Sequence, residues 1–589
     1  MPNRHVLDVA YGRAHADVII DNGQLVNVIT GEVYPADIAI ADGLIAKVGD
    51  VEAQRGPDTK IIDAAGRFMT PGLIDGHLHL ECSKLSVTMF SDLVSRYGTT
   101  SVVSSLDQTL VVAGIEGVKA ALAETIDGPM RIWWGAPAKA PYTVPETNVG
   151  HRFAIAEHQI AQTMPECVGI WETVQEMIEY GDEEVLGALD MAKHNRHQAF
   201  GCAPLSDARR IPGQAVAGIM LDHESYSPEE ELEKLRNGIS ILIRESVGAP
   251  MLRDNIKLVT EMGAPTHRIG FVTDDVSASD VLGRGHLDYV IRLAVEQGVP
   301  AMDAIQMATV NTARMFRLDH LIGCIAPGRY ADIIFTDSLE NFRAQTVITG
   351  GRVVAHDNKS LVTPAPPQRP AIMSNTFAGL AKVDPERIKV TAQGTKALVQ
   401  TIVLSKDVVF HRPGEQVTLD VIDGIVQPSI EKDTIMVAVA ERYGKTDHLP
   451  VAFIKGFGLK TGAIATSNAP DDNNIVVAGT NATDMAAAIN AVAAQDGGLV
   501  VVKDGTVIAS LPLPVCGIVA DLTAEQMEAA EKVMDEAART ELGSTLDSPF
   551  TQLMFLLITS IPEWAITDLG LIDCVNFVVT PPVISSTID

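Results

Sequence analysis

At 589 residues the chain is too long for one hydrophobic core, and roughly two to four domains are expected. Its 46% hydrophobic and 20% charged residues are those of an ordinary globular protein, and a net charge of −30 argues against nucleic acid or an anionic membrane as partner. No apolar run reaches bilayer-spanning length, the start Met1-Pro-Asn-Arg-His has no apolar signal core, and six scattered cysteines form no CxxC, so a cytoplasmic protein without a disulfide framework is expected.

Residues 17–64 alternate short β-rich runs with turn residues: Asp17-Val-Ile-Ile, Gln24-Leu-Val-Asn-Val, Asp37-Ile-Ala-Ile, Leu44-Ile-Ala-Lys-Val and Lys60-Ile-Ile-Asp. Asn22-Gly23 and Asp42-Gly43 read as hairpin turns. This is a small β-sandwich-like domain over 1–70. A matching pattern returns in Ile325-Ala-Pro-Gly-Arg-Tyr-Ala-Asp-Ile-Ile-Phe and Val353-Val, so 323–365 is expected to complete the same domain from the other flank.

Between them, over 71–322, strand-like runs fall at 73–79, 99–104, 131–134, 169–172, 199–202, 218–223, 240–244 and 268–274. Helix-compatible stretches, such as 112–125, 173–194, 228–236 and 285–298, separate most of them. Eight such steps in about 250 residues predict an α/β fold, a (β/α)8 TIM-type barrel with its active site at the C-terminal strand ends. Pro364-Ala-Pro-Pro-Gln-Arg-Pro reads as a linker. Beyond it, 366–589 reads as a C-terminal α/β domain with strands at 435–439, 475–477 and 499–502 and helices near 482–492 and 524–540.

The strongest motif is Pro71-Gly72-Leu73-Ile74-Asp75-Gly76-His77-Leu78-His79-Leu80-Glu81. Side chains two apart on a strand share a face, so His77 and His79 can converge on one metal ion. Further candidate ligands end later strand-like runs: Glu172, Cys202, His223 and Asp274. Imidazoles, carboxylates and a thiol suit one or two divalent transition-metal ions: zinc, manganese or iron. Glu172 could bridge two of them. Asp274 could also accept the proton of an attacking water, with Glu81 and His223 as further catalytic candidates. Asp275 reads as a surface or helix N-cap residue.

Several of these residues have a second reading. Cys202 is either a ligand, which would favour zinc, or a small buried hydrophobe. Glu81 could shuttle protons or hold a histidine in place. Glu224 carries the same ambiguity. Asp107 could bind metal or substrate. Trp134, with Trp133, Lys139 and Tyr142, follows the third strand and could stack on a heterocycle or simply pack. His286 reads as structural, and His194 and His197 as residues of a solvated helix end.

With these residues laid out, the chain resembles the amidohydrolase superfamily and, within it, the bacterial adenine deaminases. The supporting segments include Gly98-Thr-Thr-Ser-Val-Val, Asp222-His-Glu-Ser-Tyr, Lys234-Leu-Arg-Asn-Gly, Leu242-Ile-Arg-Glu, Thr273-Asp-Asp, Gly456-Phe-Gly-Leu-Lys-Thr-Gly-Ala and Leu511-Pro-Leu-Pro-Val-Cys-Gly. The resemblance implies a two-metal centre with Glu172 where many relatives use a carboxylated lysine. It also implies attack of hydroxide on purine C6 with loss of ammonia. A small heterocyclic substrate and a homodimer are the expected partners.

Four slots depart from the family pattern. Asp-Pro-His-Glu is replaced by Ser105-Leu106-Asp107-Gln108, and Asp-Gly-His by Phe200-Gly201-Cys202. Ser-His-Asp-Ser-His-Asn becomes Ala469-Pro470-Asp471-Asp472-Asn473-Asn474, and Ser-Ser-Met becomes Cys82-Ser83-Lys84. These changes leave open an amidohydrolase that opens a cyclic amide or another heterocycle, or a silent ligand-binding homologue.

Overall fold

The structure is a computed structural model and describes residues 3–246, 248–405, 409 and 411–587. Its centre is an eight-stranded, all-parallel sheet whose strands pair in chain order: Leu73–Asp75, Thr99–Ser104, Arg131–Pro137, Cys167–Val174, Gln198–Cys202, Leu221–Asp222, Ser240–Arg244 and Ile269–Val272. The first and eighth strands meet just beyond their ends. There His79 N–H donates to the Asp274 carbonyl (2.9 Å) and Asp274 N–H to that of His77 (3.0 Å). Three of the strand-end residues expected to act, His77, His79 and Asp274, therefore form the seam of the barrel.

Alternation along the strands sorts the apolar side chains. Ile74, Val103, Trp133, Trp171, Phe200 and Leu242 fill the barrel interior in one buried cluster. Their neighbours Val102, Ile132 and Trp134 belong instead to the cluster shared with the surrounding elements.

Three expected elements are shorter than the pattern suggested. The first strand leaves the ladder after Asp75, whose carboxylate accepts the His77 N–H (3.2 Å). Gly218, with φ 106°, closes the helix Ile211–Ala217 and delays the sixth strand to Leu221. The expected helix 173–194 is two helices, Gln175–Glu179 and Glu183–Asn195, because Gly181 turns with φ 74° and Asp182 caps the second.

A nine-stranded sheet takes Val18–Asn27, Glu32–Ala41, Leu44–Gly49, Lys60–Asp63 and Phe68–Pro71 from before the barrel and Ile333–Thr336 through Lys359–Ser360 from after it. Phe68–Pro71 and Ile333–Thr336 pair antiparallel and join the two flanks. Asp42-Gly43 makes the expected hairpin turn, both residues with positive φ. Asn22-Gly23 does not: one strand runs through it, with a register shift between Ile20 and Gly23. Asn22 at φ 59° makes a bulge there, not a reversal.

The C-terminal part is built on a ten-stranded sheet, with the helix Ala482–Ala494 against it and a separate three-stranded sheet near the C-terminus. It docks on the barrel through one continuous core holding Leu78, Phe90 and Leu106 from the barrel and Phe457, Ile518 and Leu557 from the C-terminal part. Polar bonds fix the join: Asn468 Nδ2 donates to the Glu81 carbonyl (2.9 Å), and Lys84 Nζ pairs with Glu531 (2.8 Å).

Candidate active site

The seam carries the site. His77 is buried against Trp171, with ring centroids 4.0 Å apart, and against His223, at 3.5 Å. Beneath it, fully buried Asp75 accepts from Thr273 Oγ1 (2.6 Å), locking strand one to strand eight. His79 Nε2 lies 3.3 Å from Glu172 and 3.6 Å from Asp274, while its Nδ1 lies 3.5 Å from Asp107. His223 donates Nδ1–H to the Gly201 carbonyl (3.2 Å), which leaves its Nε2 lone pair facing Glu172 (3.9 Å) and Glu224 (3.7 Å).

Three sets of donor atoms each lie within 4.8 Å of one another: His77, His79 and Asp274; His77, Glu172 and His223; Cys202, His223 and Glu224. Glu172 (φ 36°) and Asp274 (φ 61°) both hold the left-handed backbone region, a strain that side chains aimed at a site commonly carry.

The electrostatics call for a cation. Burial, with His223 and His79 beside it, holds the His77 pKa well below that of an ordinary imidazole, and its Nε2, 3.5 Å from Asp274, has no hydrogen-bond partner among the described residues. Burial also opposes a charged His79, but the Glu172 and Asp107 carboxylates outweigh it and raise its pKa well above the ordinary value. Asp274 is pushed up by burial and pulled further down by Arg244 and the histidines, so it stays ionised. Buried Arg244 grips it (2.5 Å) together with Glu224 (2.7 and 2.8 Å). The stacked imidazoles of His77 and His223 and the carboxylates that converge on them fit divalent ions.

The cluster forms the floor of a cavity of about 720 Å³. Tyr142, Cys202 and Arg244 line its barrel side, and Asp471, Phe555 and Phe577 of the C-terminal part line its roof. The volume falls in the range of small-molecule sites.

Residues 68–354 match the amidohydrolase family and residues 412–578 the adenine deaminase C-terminal domain. Adenine deaminase 4 of Rhizobium meliloti (strain 1021) is 47% identical, over 97% of this chain and 95% of its own. Adenine deaminase 1 of Desulfotalea psychrophila (strain LSv54 / DSM 12343) is 43% identical over 99% and 98%, and adenine deaminase 1 of Latilactobacillus sakei subsp. sakei (strain 23K) is 42% identical over the same shares. The chain belongs to the adenine deaminase family. It is a metal-dependent amidohydrolase by family, and Cys82, Asp107, Cys202, Pro470 and Asp471, from the four slots read in the sequence as departures, all line the cavity.

Of the residues singled out in the sequence, His79, Glu172, Cys202, His223 and Asp274 come together on the cavity wall with Asp107 and Glu224, and His77 lies buried behind them, stacked on His223. Glu81 is not on the wall. It is buried under the first turn of the helix Asp107–Ala123, where Oε1 accepts from Thr109 N–H (3.2 Å) and Oγ1 (3.0 Å). Trp134 is not there either. It points outward from its strand into the shared core, with Nε1 donating to Ser105 O (2.6 Å), because alternation sends its neighbour Trp133 inward. Lys139 is taken up by Glu146, Asp182 and Glu184.

Asp275 is neither a surface residue nor a cap. It lines the cavity beside Cys82, and the N-cap of the next helix is Ser277. His286 is structural, its Nδ1 2.8 Å from Thr99 Oγ1. Arg244, within Leu242-Ile-Arg-Glu, is a site residue that the pattern of strand-end ligands does not single out. A charged residue closing an apolar strand run, Ser240-Ile-Leu-Ile-Arg, is the signal that marks it.

Proposed function

We propose that this chain hydrolyses adenine to hypoxanthine and ammonia. The observation that carries the reading is a cluster of candidate metal ligands at a cavity roofed by the adenine deaminase C-terminal domain. His77, His79 and Asp274 would hold one ion and His223 with Cys202 a second, with Glu172 between them; zinc suits the thiol best. When bound, such ions supply Lewis acidity and a water acidic enough to ionise near neutral pH.

The protein's own groups do the rest. Asp274, kept ionised by Arg244, takes the proton of the attacking water and returns it to the leaving nitrogen. Asp107, 3.5 Å from Nδ1 of His79, would hold that imidazole in the orientation a ligand needs. The C6–N bond breaks, ammonia leaves and the carbonyl of hypoxanthine remains. Phe555 and Phe577 place apolar surface opposite the ligand cluster.

In the same reading, segments 1–70 and 323–365 form one domain, 71–322 the barrel and 366–589 the roof. Cytoplasmic residence and a homodimeric state belong to it as well; the six cysteines are free and buried, as a reducing compartment allows.

The test is steady-state ammonia release from adenine by zinc-loaded protein, with hypoxanthine confirmed chromatographically. Protein with its metal sites filled that releases no ammonia from adenine would end the adenine reading. A ring-opened carboxylate formed from a cyclic amide would replace it.

A further inference from the structure

Two polar groups on the cavity wall take no part in the ligand cluster and have a buried atom without a partner among the described residues: the Tyr142 hydroxyl and Oδ2 of Asp471. They reach the cavity from different parts of the molecule. Tyr142 follows the third barrel strand, Arg131–Pro137. Asp471 sits in the turn between the C-terminal strands Ala463–Thr466 and Ile475–Gly479. Both line the same cavity as Asp107 and Glu172, whose charges act on each of them.

The other cavity-lining carboxylates are engaged. Arg244 holds Asp274 and Glu224, Ser105 Oγ donates to Asp107 (2.6 Å), Trp171 Nε1 donates to Glu172 (3.2 Å), Arg210 holds Glu176 (2.6 Å), and Asp275 accepts from the Cys82 thiol. Buried polar groups left unpaired are costly and are retained where something pairs with them.

The cavity volume sharpens the point. About 720 Å³ holds far more than a purine base, so size alone does not select the substrate. Selection must come from polar groups. A purine with C6 over the cluster presents on its opposite edge an acceptor, N3, beside a donor, N9–H. The wall presents the complement. Burial pushes the Tyr142 hydroxyl well above its ordinary pKa, so it keeps its proton and donates. A carboxyl accepts through one oxygen in either protonation state.

We infer that Tyr142 and Asp471 read the N3/N9–H edge of the base, and that Asp471 restricts the enzyme to purines with a free N9–H. Asp471 is thus a specificity-determining residue supplied by the C-terminal domain. A 9-substituted purine would leave its carboxyl buried and unpaired, the situation in which hydrogen-bonding sites discriminate most strongly. The inference rests on the adenine reading.

The test compares adenine with 9-methyladenine in the wild type, Asp471→Ala, Asp471→Asn and Tyr142→Phe, with metal content measured for each. The wild type should prefer adenine by about 100-fold or more in kcat/KM. Asp471→Ala should lose most of that on adenine, chiefly through KM, change little on 9-methyladenine and keep its metal, so the preference shrinks below about 10-fold. Asp471→Asn, which keeps an acceptor, should recover part of it. Tyr142→Phe should lose about 10-fold on both substrates alike, since both carry N3. An Asp471→Ala that loses equally on both substrates, sheds metal, or keeps the full preference overturns the inference. If Asp471→Ala does not fold, an unchanged preference in Asp471→Asn together with unequal losses in Tyr142→Phe does the same. A wild type inactive on adenine overturns the adenine reading itself and takes this inference with it.

Discussion

Cys202 decides what the second half of the ligand cluster can hold. Burial pushes its thiol well above the ordinary range, and the nearby Glu172 and Glu224 push it further, so only a bound cation makes it a thiolate. Cys202→Ala should therefore lose about one equivalent of metal and most of the activity, whereas Cys202→His should keep metal and accept manganese or iron more readily. Elemental analysis of the purified variants measures this. Full metal in Cys202→Ala, with a stability loss of only about 1 kcal/mol, would make it a packing residue. Most of the ligand set is legible in the sequence because metal ligands in a barrel must end strands, and apolar runs show where strands end. Trp134 and Glu81 are not legible in the same way. Which of two adjacent tryptophans turns inward depends on strand register, and whether Glu81 reaches the cavity depends on a 3-10 turn, Leu80–Ser83, that leaves no pattern. Tyr142 and Asp471 meet across two domains, and no local spacing encodes that.

At the scale of elements, the helix Pro228–Arg236 is unusual in burying a lysine. Lys234 Nζ donates to Ala203 O, Asp222 Oδ1 and Glu224 O, each at 2.7 Å, and to Ser225 Oγ at 2.9 Å. It thereby ties the end of the fifth strand to the turn that presents His223 and Glu224. Lys234→Met would strand the Asp222 and Glu230 carboxylates and should cost about 3–5 kcal/mol in urea unfolding. A loss under about 1 kcal/mol would show that the ammonium is dispensable. This helix and Ala524–Thr540 match their expected bounds because Ser227 and Thr523 cap them, a local signal. The short sixth strand and the bulge at Asn22-Gly23 are set by neighbouring elements, so sequence spacing misplaces them.

For the whole molecule, four buried carboxyls make the metal-free protein sensitive to alkali. Burial pushes Asp75, Glu81, Asp275 and Asp472 up to about 7. In the unfolded chain such groups ionise near about 4. Between those values the folded chain holds protons the unfolded one has released, so stability falls as pH rises through about 7. His77 and His286 act in the opposite sense. Burial holds His77 well below the ordinary value and His286 down to about 3, so their contribution is lost as pH falls below about 6.5 and is complete above it. Four carboxyls outweigh two histidines, so chelator-treated protein should lose stability from about pH 5 to about pH 7.5, its melting temperature dropping by several degrees and levelling off above that. Scanning calorimetry gives the curve, and a midpoint that rises over that interval would contradict the assignment.

The seam of the barrel also fixes an order of events. Asp75 and Thr273, bonded to each other there, are 198 residues apart. Contacts that distant are entropically the hardest for a folding chain to make, and they come after local helices and neighbouring strands have formed. The ring closes through the backbone of His77, His79 and Asp274, so its last join is also its chemistry. A chain stalled partway has helices and most of a sheet but no ligand cluster, and cannot hydrolyse anything with a half-built centre. Activity in this architecture certifies a completed fold.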